Sequence, residues 1–358
     1  MIDWQRANGR HDLPWQRTRD PYRIWLSEIM LQQTQVATVI PYYLRFVERF
    51  ASIAQLAQAP VDDVLTSWSG LGYYSRARNL QRAAVQLMEC HGGAFPEAFD
   101  DVLALPGIGR STAAAICAFA FGQRHAILDG NVKRVLARHA GIDGWAGTGS
   151  VERALWHAAE ARLPERDIET YTQALMDLGA GLCTRTRPRC VACPVAADCV
   201  AYRDGRVDAI PGARPRKPMP HRAATVWVLL DGDGRVWLER RPPSGIWGGL
   251  WSLPQSFDAA SEAHLRATRG AIHHLPPIEH AFTHFRLTIE PLLIDLAVPE
   301  TRAATPDASY RGADVERALA GVSLVCVAEP GRQWLALDRL ETIALPAPVR
   351  TLLESIHI

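Results

Sequence analysis

The sequence is almost without lysine: Lys133 and Lys217 are the only two among 358 residues, which restricts side-chain amine chemistry to these positions. It lacks an apolar run long enough to cross a bilayer, so we expect no membrane association. Residues 1–6 lack the cationic and apolar regions of a secretory signal, so we expect a cytosolic protein. The net charge is only +1, so the protein as a whole is not basic. Any surface that binds nucleic acid must therefore be a local cluster of basic residues.

Cysteine, by contrast, is concentrated in one arginine-rich segment, 183–199. Cys183, Cys190, Cys193 and Cys199 have six, two and five residues between them. Thiolates at this spacing can close a short loop around a cuboidal iron–sulfur cluster. A four-thiolate zinc site remains the alternative, but zinc ribbons usually contain two C-x2-C knuckles and this segment has one, so the spacing favours one 4Fe-4S cluster. Three further cysteines lie in apolar surroundings and are predicted to be buried: Cys90, Cys117 and Cys326.

The apolar periodicity divides the chain into two domains joined by a linker. Residues 1–205 have apolar side chains at three- and four-residue spacing, which predicts an all-helical domain. Residues 206–221 are rich in proline and arginine and are typical of a semi-extended linker, and residues 222–358 predict a mixed α/β domain. The predicted helices are 21–33, 35–50, 60–69, 73–90, 98–104, 111–121, 131–140, 150–162, 168–180, 259–269 and 347–356. The predicted strands are 224–230, 235–240, 287–297 and 324–337.

A tight Pro-Gly-x-Gly turn separates two of the predicted helices. Gly107 and Gly109 allow the backbone to approach an anion, and the following helix begins with unpaired N–H groups, so one DNA phosphate could bind there. The side chain of Ile108, between the two glycines, is expected to pack into the core and anchor the turn. Such a turn alone is also ordinary helix-hairpin geometry. Together with the cysteine segment it favours binding of nucleic acid.

With these residues in hand, the chain resembles the adenine DNA glycosylases of the MutY type, in the helix-hairpin-helix superfamily that also contains endonuclease III. The likeness extends nearly from end to end. The similar blocks are Leu13–Trp15, Trp25–Val36, Gly70–Arg78, Leu105–Thr112, Leu128–Val135, Met176–Ala180, the four cysteines and Arg241–Leu250.

The resemblance implies a six-helix barrel beside a cluster-bearing helical domain, followed by a Nudix-like α/β domain. It also implies a monomer that acts on duplex DNA containing A:8-oxoguanine or A:G mispairs, and hence a place at the nucleoid. Gly248-Gly249 is not followed by the arginine- and glutamate-rich helix of Nudix hydrolases, so recognition of the damaged base is the role expected of this domain. Phe282, Thr283 and His284 occupy the family's Phe-Ser-His element, with threonine replacing serine.

Release of a base develops positive charge on the sugar and negative charge on the base, so it needs a proton donor and a carboxylate. Glu28 lies in an apolar helical stretch where burial should raise its pKa, and the resemblance implies that it protonates N7 of adenine. Asp129 opens a later helix, where main-chain N–H groups should keep it ionised. A plain helix N-cap is the alternative for Asp129, although pairing with Glu28 favours catalysis. Asn131 is expected to orient the Asp129 carboxylate.

Ser111 bears on the reaction type. Endonuclease III-like relatives carry a lysine directly after the hairpin, whose amine attacks the sugar, and a serine cannot do so. The resemblance therefore implies a monofunctional glycosylase, with weak lyase activity through Lys133 as a minor alternative. Two further functions remain open, namely an endonuclease III-like lyase acting on oxidised pyrimidines and a non-catalytic DNA-binding iron–sulfur protein.

Two more residues match family positions beside the 8-oxoguanine strand, Gln33 and Tyr73. An extruded base leaves a gap that a side chain must fill. A buried interhelical ring is the alternative for Tyr73, but its glycine-flanked loop predicts exposure. Trp15 and Leu31 are interpreted as packing residues only.

Overall fold

A computed structural model of the protein describes residues 1–215, 218–231, 233–255, 272–295 and 331–356. Its contacts divide the chain into two compact units. The first unit is Met1–Ala59 with Arg76–Lys217, and the second is Pro60–Ser75 with Pro218–Ile358. The chain passes between them three times: after Ala59, after Ser75 and within the predicted linker. No helix among the described residues combines the length and apolarity needed to cross a membrane.

The assignment of 60–75 to the second unit differs from the prediction, which places this segment in the helical domain. Its contacts explain the difference. Arg240 forms an ion pair with Asp62, and the Tyr74 hydroxyl donates to the carbonyl of Leu345 at 3.3 Å. These partners are distant in sequence, so local periodicity carries no signal of them.

The first unit is helical throughout its core. The helices among the described residues, numbered in order, are α1 Ile2–Asn8, α2 Pro21–Leu31, α3 Val36–Arg49, α4 Ile53–Gln58, α5 Val61–Ser67, α6 Ser75–His91, α7 Phe99–Leu103, α8 Arg110–Phe121, α9 Gly130–Ala140, α10 Gly149–Ala161, α11 Ile168–Gly181, α12 Val200–Arg203 and α13 Ala347–Glu354. Helix α5 and helix α13 belong to the second unit. The periodicity did not predict the short helices α1, α4 and α12, because fewer than three turns give too few apolar repeats.

Helix α2 illustrates how sequence sets a helix and how a distant residue ends it. Asp20 caps its start by accepting from the N–H of Tyr22 at 3.0 Å, and Pro21 fits the first turn. The prediction continues the helix to residue 33, but it ends at Leu31. The buried guanidinium of Arg76 accounts for this end, because it donates to the carbonyls of Ile29, Met30 and Gln32 at 2.6–3.0 Å and so satisfies the last turn.

The second unit is built on a seven-stranded sheet. The strands are β1 His221–Leu230, β2 Arg235–Arg240, β3 Trp251–Ser252, β4 Ile272–His274, β5 Ile278–Ala281, β6 Arg286–Asp295 and β7 Arg332–Ala336. The order is β3-β2-β1-β6-β4, with β5 beside β6 and β7 beside β2. Strands β1 and β6 are parallel and the other pairs are antiparallel.

The predicted β1–β2 hairpin is confirmed, and a carboxylate organises its turn. Asp231 accepts from the main-chain N–H groups of Asp233 and Arg235 at 3.0 and 2.9 Å, which closes the turn and sets the pairing of Leu230 with Val236. Strand β7 lies within the predicted strand 324–337, whose first part is outside the described residues. The predicted helix 259–269 is also outside them.

Candidate active site

Glu28 lines a cavity of about 520 Å³ in the first unit. This volume is in the range of small-molecule pockets. Glu28 is half-buried, because most residues before and after it in α2 are apolar. Burial raises the pKa of its carboxyl to about 8, and the charge of the nearby Asp129 contributes to this rise. The cavity walls include Trp15, Gln16, Ser27, Glu28, Leu31 and Gln173. The sequence-based expectation of a protonated carboxyl at position 28 agrees with this geometry.

Asp129 is the N-cap of α9. Its Oδ1 accepts from the N–H of Val132 at 2.7 Å. Burial raises the pKa of the Asp129 carboxyl, although the N–H groups of Val132 and Asn131 and the charge of Arg134 lower it in part. The predicted N–H groups do lower the pKa of Asp129, but desolvation, which the prediction did not include, is the larger effect. The pKa of Glu28 has no such lowering contributions, so the surroundings of Asp129 favour its ionised form in a way that those of Glu28 do not.

Ser111 lies next to this N-cap. Its hydroxyl oxygen accepts from the N–H of Leu128, directly before Asp129, at 2.9 Å. Gln32, just past the end of α2, reaches Thr112 on the same turn of α8 at 3.4 Å. The end of α2, the start of α8 and the start of α9 therefore converge, which brings together three segments that are far apart in the sequence.

Asn131 has a different partner from the one predicted. Its amide oxygen accepts from Arg134 at 2.8 Å, so its contribution to Asp129 comes from its main-chain N–H rather than from its side chain. Arg134 also donates to the carbonyls of Gly179 and Cys183, both at 2.7 Å. This guanidinium therefore links the start of α9 to the end of α11 and to the cysteine segment.

The amine of Lys133 has a carboxylate partner on another helix. The ammonium group forms an ion pair with Glu152 on α10, with 2.6 Å between Nζ and Oε1. The four-residue spacing from Asp129 had suggested a position near the site. Instead, the side chain is held at the α9–α10 contact, which disfavours the lyase alternative that depends on this amine.

The predicted turn between α7 and α8 has the expected conformation. Gly107 has φ +81°, and a Cβ there would lie 2.8 Å from Cβ of Asn79, so a glycine is required. Ile108 is buried, as predicted. Gly109 is the N-cap of α8 and supplies no side-chain cap, and a Cβ there would meet nothing within 4 Å. The first main-chain N–H groups of α8 therefore have no side-chain cap.

All four cysteines of the 183–199 segment line one small apolar cavity. Arg138 lines the same cavity. Its guanidinium is only 3% exposed and donates to Sγ of Cys183 at 3.4 Å and to the carbonyl of Thr184 at 2.7 Å. Burial raises the pKa of the Cys190 and Cys193 thiols, and the neighbouring thiols raise it further. In the described part of the chain, no group of three or more His, Cys, Asp or Glu side chains is placed to hold a metal ion.

The prediction that the three remaining cysteines are buried holds for one of them and fails for another. Cys117 is buried in α8, as predicted. The prediction was wrong for Cys90, which is exposed in the last turn of α6. Cys326 lies outside the described residues.

Gln33 and Tyr73 share an unusual backbone conformation. Their φ angles are +59° and +49°, in the left-handed region that non-glycine residues rarely adopt. Gln33 is exposed and Tyr73 is 43% exposed. Both were predicted to lie in helices, yet each stands just outside one. A strained backbone at an exposed polar or aromatic side chain is typical of positions kept for a functional reason.

In the second unit, Phe282, Thr283 and His284 form the turn between β5 and β6. The N–H of Phe282 donates to the carbonyl of Phe285 at 2.9 Å, and the two rings stack with centroids 4.4 Å apart. Phe282 is therefore half-buried, whereas Thr283 and His284 are exposed at the tip. Sequence reasoning missed His280, whose ring contacts Phe282 with centroids 4.7 Å apart.

Sequence reasoning also missed several cavity residues. Trp15 and Leu31 were interpreted as packing residues, and both line the cavity with Glu28. Gln173 lines it from α11, four residues before Asp177, which belongs to the Met176–Ala180 block of the resemblance. The i, i+4 spacing on α11 was a signal that could have found Gln173.

Comparison with known proteins gives two domain matches. Residues 26–161 match the model of the HhH-GPD superfamily base excision DNA repair proteins, and residues 225–355 match the NUDIX domain model. The predicted combination of a helical helix-hairpin-helix domain with a Nudix-like domain is therefore confirmed.

Full-length relatives extend this result. The chain is 33% identical to the adenine DNA glycosylase of Buchnera aphidicola (subspecies Acyrthosiphon pisum), over 99% of this chain and 96% of that protein. It is 34% identical to the adenine DNA glycosylase of Mus musculus, over 85% of this chain and 71% of that protein. A solved structure of a thermostable thymine-DNA glycosylase is 30% identical, with a TM-score of 0.51, and the match covers 57% of this chain and 93% of that one. The chain belongs to the adenine DNA glycosylase family of base excision repair enzymes.

Proposed function

We propose that this enzyme hydrolyses the N-glycosidic bond of adenine paired with 8-oxoguanine, or with guanine, in duplex DNA. The observation that carries the proposal is a pair of neighbouring carboxyls, of which Glu28 lines the cavity and Asp129 is close enough to raise the pKa of Glu28. Glu28 has a pKa of about 8 and so carries a proton at neutral pH, while two main-chain N–H groups and Arg134 favour the ionised form of the nearby Asp129. A protonated and an ionised carboxyl side by side are what departure of a base from its sugar requires.

Each carboxyl has a separate task in this proposal. Glu28 donates its proton to N7 of the adenine, which neutralises the charge that develops on the leaving base. Asp129 stays ionised and stabilises the positive charge on the sugar. Asn131 and Val132 support it through their main-chain N–H groups. Ser111 holds the loop that carries Asp129 through its bond to the N–H of Leu128.

Phosphate binding at the Gly107–Gly109 turn is the DNA contact that we propose for the first unit. The open space around Gly109 and the uncapped start of α8 support it, because main-chain N–H groups there can donate to a phosphate oxygen without a lysine. Gln33 and Tyr73, both exposed, are proposed to contact the strand that carries the damaged base. The monomeric state and a location at the nucleoid stay predictions.

The reaction type is tested by comparing two duplexes under single-turnover conditions. We expect strand cleavage only after alkali with the A:8-oxoguanine duplex, and no release from a thymine glycol duplex. Borohydride should trap little covalent complex, because Ser111 replaces the lysine of the lyases and the Lys133 amine is paired with Glu152. A trapped complex as abundant as product would favour the endonuclease III-like alternative.

Damaged-base recognition is proposed for Thr283 and His284 at the tip of the β5–β6 turn. His284 is exposed, and its ring lies edge-on to Phe285 with centroids 4.8 Å apart. We expect His284→Ala to reduce the preference for A:8-oxoguanine over A:G by about tenfold, equivalent to one lost hydrogen bond. Thr283→Ser, which introduces the residue usual in the family, is the matched control and should retain the preference. An equal loss on both mispairs would contradict the assignment.

A 4Fe-4S cluster is the cofactor that we propose for Cys183, Cys190, Cys193 and Cys199. The four thiols line one small apolar cavity, and their six-, two- and five-residue spacing favours a 4Fe-4S cluster over zinc. The buried guanidinium of Arg138 in the same cavity has no carboxylate partner among the described residues, which suits an anionic group. When bound, the cluster supplies metal–thiolate bonds that cross-link the segment.

Metal analysis tests this cofactor. We expect about four iron atoms and four acid-labile sulfides per chain. Cys193→Ser should reduce the iron content and lower the melting temperature, because one cross-link of the segment is lost. Cys90→Ser, the same change at an exposed cysteine outside the segment, is the control and should alter neither. One zinc per chain without sulfide would contradict the assignment.

A further inference from the structure

Arg76, near the start of α6, is a buried arginine to which the proposed reaction assigns no task. It is only 7% exposed. Its Nη1 donates to two carbonyls in the last turn of α2 at 3.0 and 2.8 Å. Two further hydrogen bonds lie past the end of that helix: Nη1 donates to the carbonyl of Gln32 at 2.6 Å, and Nη2 donates to Oγ1 of Thr34 at 3.1 Å. The guanidinium therefore holds the chain on both sides of Gln33.

Gln33 has a backbone conformation that needs such support. Its φ of +59° lies in the left-handed region, which costs free energy in a residue with a Cβ and persists only where the surroundings enforce it. The carbonyl of Gln32 belongs to the peptide group that precedes Gln33, so its bond to Arg76 fixes the orientation of that peptide plane. The Thr34 hydroxyl also donates to this carbonyl, at 3.4 Å. The side chains of Arg76 and Thr34 therefore hold the left-handed turn.

The side chain of Gln33 depends on this turn for its direction. It is exposed, and its amide has no hydrogen bond to any of the residues that the structure describes. The backbone therefore sets the direction in which the Cα–Cβ bond points, and a change of φ would redirect the amide. Gln33 also directly follows Gln32, whose side chain reaches Thr112 at the start of α8, so the turn adjoins the helices that converge at the active site.

We propose that Arg76 is a positioning residue that holds Gln33 in the left-handed conformation and so presents its amide to the base opposite the extruded adenine. An amide has two donors and an acceptor, which suits the hydrogen-bonding edge that a base exposes once its partner has left the stack. A turn that is already in its bound conformation also loses less entropy when DNA binds. This inference rests on the proposed function and names the group that prepares the Gln33 contact.

The test measures affinity for a duplex in which 8-oxoguanine lies opposite a tetrahydrofuran abasic analogue. This duplex contains the unpaired base but no adenine, so its binding involves no reaction at Glu28 or Asp129, and fluorescence anisotropy gives the Kd. We expect Gln33→Ala to raise the Kd by about tenfold, the effect of one lost hydrogen bond. Arg76→Met keeps the aliphatic part of the side chain but loses every donor, and it should raise the Kd by a similar factor.

The double variant separates positioning from a general structural role. If Arg76 acts through Gln33, Arg76→Met should change the Kd by less than about twofold in the Gln33→Ala background, because no amide is left to position. A guanidinium that only stabilises the end of α2 would give the same loss in both backgrounds, and that result would overturn the proposal. An unchanged Kd in Gln33→Ala alone would overturn it as well.

Thr34→Val decides the matter if Arg76→Met does not fold. Valine has nearly the shape of threonine but no hydroxyl, so both hydrogen bonds of Thr34 Oγ1 are lost while those of Arg76 to the last turn of α2 remain. We expect the Kd to rise by about threefold, and only when Gln33 is present. The same rise in the Gln33→Ala background would contradict the inference. Arg82→Met, the same substitution as at Arg76 but at an exposed position of α6, is the matched control and should leave the Kd unchanged.

The two proposals fail on different measurements. If the unmodified enzyme releases no adenine from the A:8-oxoguanine duplex, the proposed function is wrong. If it releases adenine and the effect of Arg76→Met is the same in both backgrounds, only the inference about Arg76 is wrong.

Discussion

Glu28→Gln is expected to slow release of adenine by at least about 100-fold, the usual contribution of a general acid. Glutamine occupies nearly the same volume at the cavity wall but has no proton to donate. The measurement is the single-turnover rate of alkali-sensitive site formation in an A:8-oxoguanine duplex. Affinity for the duplex, followed by fluorescence anisotropy, should change little. Glu48→Gln, at an exposed position of α3, is the matched control and should leave the rate unchanged.

The pH dependence gives a second measurement of the same group. Because the protonated form of Glu28 is the active one and its pKa is about 8, the rate should fall about tenfold per pH unit above pH 8. Toward acid pH the rate should fall again as Asp129 takes up a proton. A rate that continues to rise above pH 9 would contradict a donor role for Glu28.

Glu28→Gln should lower the rate of adenine release but raise the stability of the folded protein. Glu28 ionises near pH 4.5 in the unfolded chain but only near pH 8 in the folded protein, so the unfolded state loses its proton first. Its contribution to stability is therefore present below pH 4.5 and declines as the pH rises to 8. Glutamine does not titrate. We expect the melting temperature of Glu28→Gln to exceed that of the unmodified enzyme by a growing margin between pH 5 and pH 8, and no such trend for Glu48→Gln.

Asp129→Asn is expected to lower the rate of adenine release by about 100- to 1,000-fold, the range for loss of one electrostatic group aimed at a developing charge. Asparagine caps a helix as well as aspartate does, so the start of α9 and its bond to the N–H of Val132 should persist. The variant therefore separates the two interpretations of this residue. A plain N-cap would leave the rate nearly unchanged, whereas a catalytic carboxylate would not.

Two controls make the Asp129 result specific. Asp20→Asn makes the same substitution at the N-cap of α2, where the carboxylate accepts from the N–H of Tyr22, and it should leave the rate intact. Asp129→Ala removes both charge and cap, and it should cost about 1 kcal/mol of stability in addition to activity. Activity in Asp129→Asn within a few-fold of the unmodified enzyme would exclude Asp129 from the reaction.

Several features could be predicted from the sequence because they depend on neighbours along the chain. The cysteine spacing, the Gly107–Gly109 turn and the apolar surroundings of Glu28 are local. Helix interiors were predicted well for the same reason. Helix ends were not, since the end of α2 is set by Arg76, a partner from α6.

The sequence by itself determined the division into a helical and a mixed domain and the identity of the residues that carry the proposed chemistry. Only the tertiary structure decided how they act. It brought Asp129 close enough to Glu28 for its charge to raise the pKa of the Glu28 carboxyl. It also placed Arg134 where its guanidinium donates a hydrogen bond to the side-chain oxygen of Asn131. It also joined Asp177 to Arg10 and Gln173, and moved residues 60–75 into the second unit. The physical reason is common to all of these: desolvation, charge and hydrogen bonding act through space, and periodicity records only what lies within a few residues.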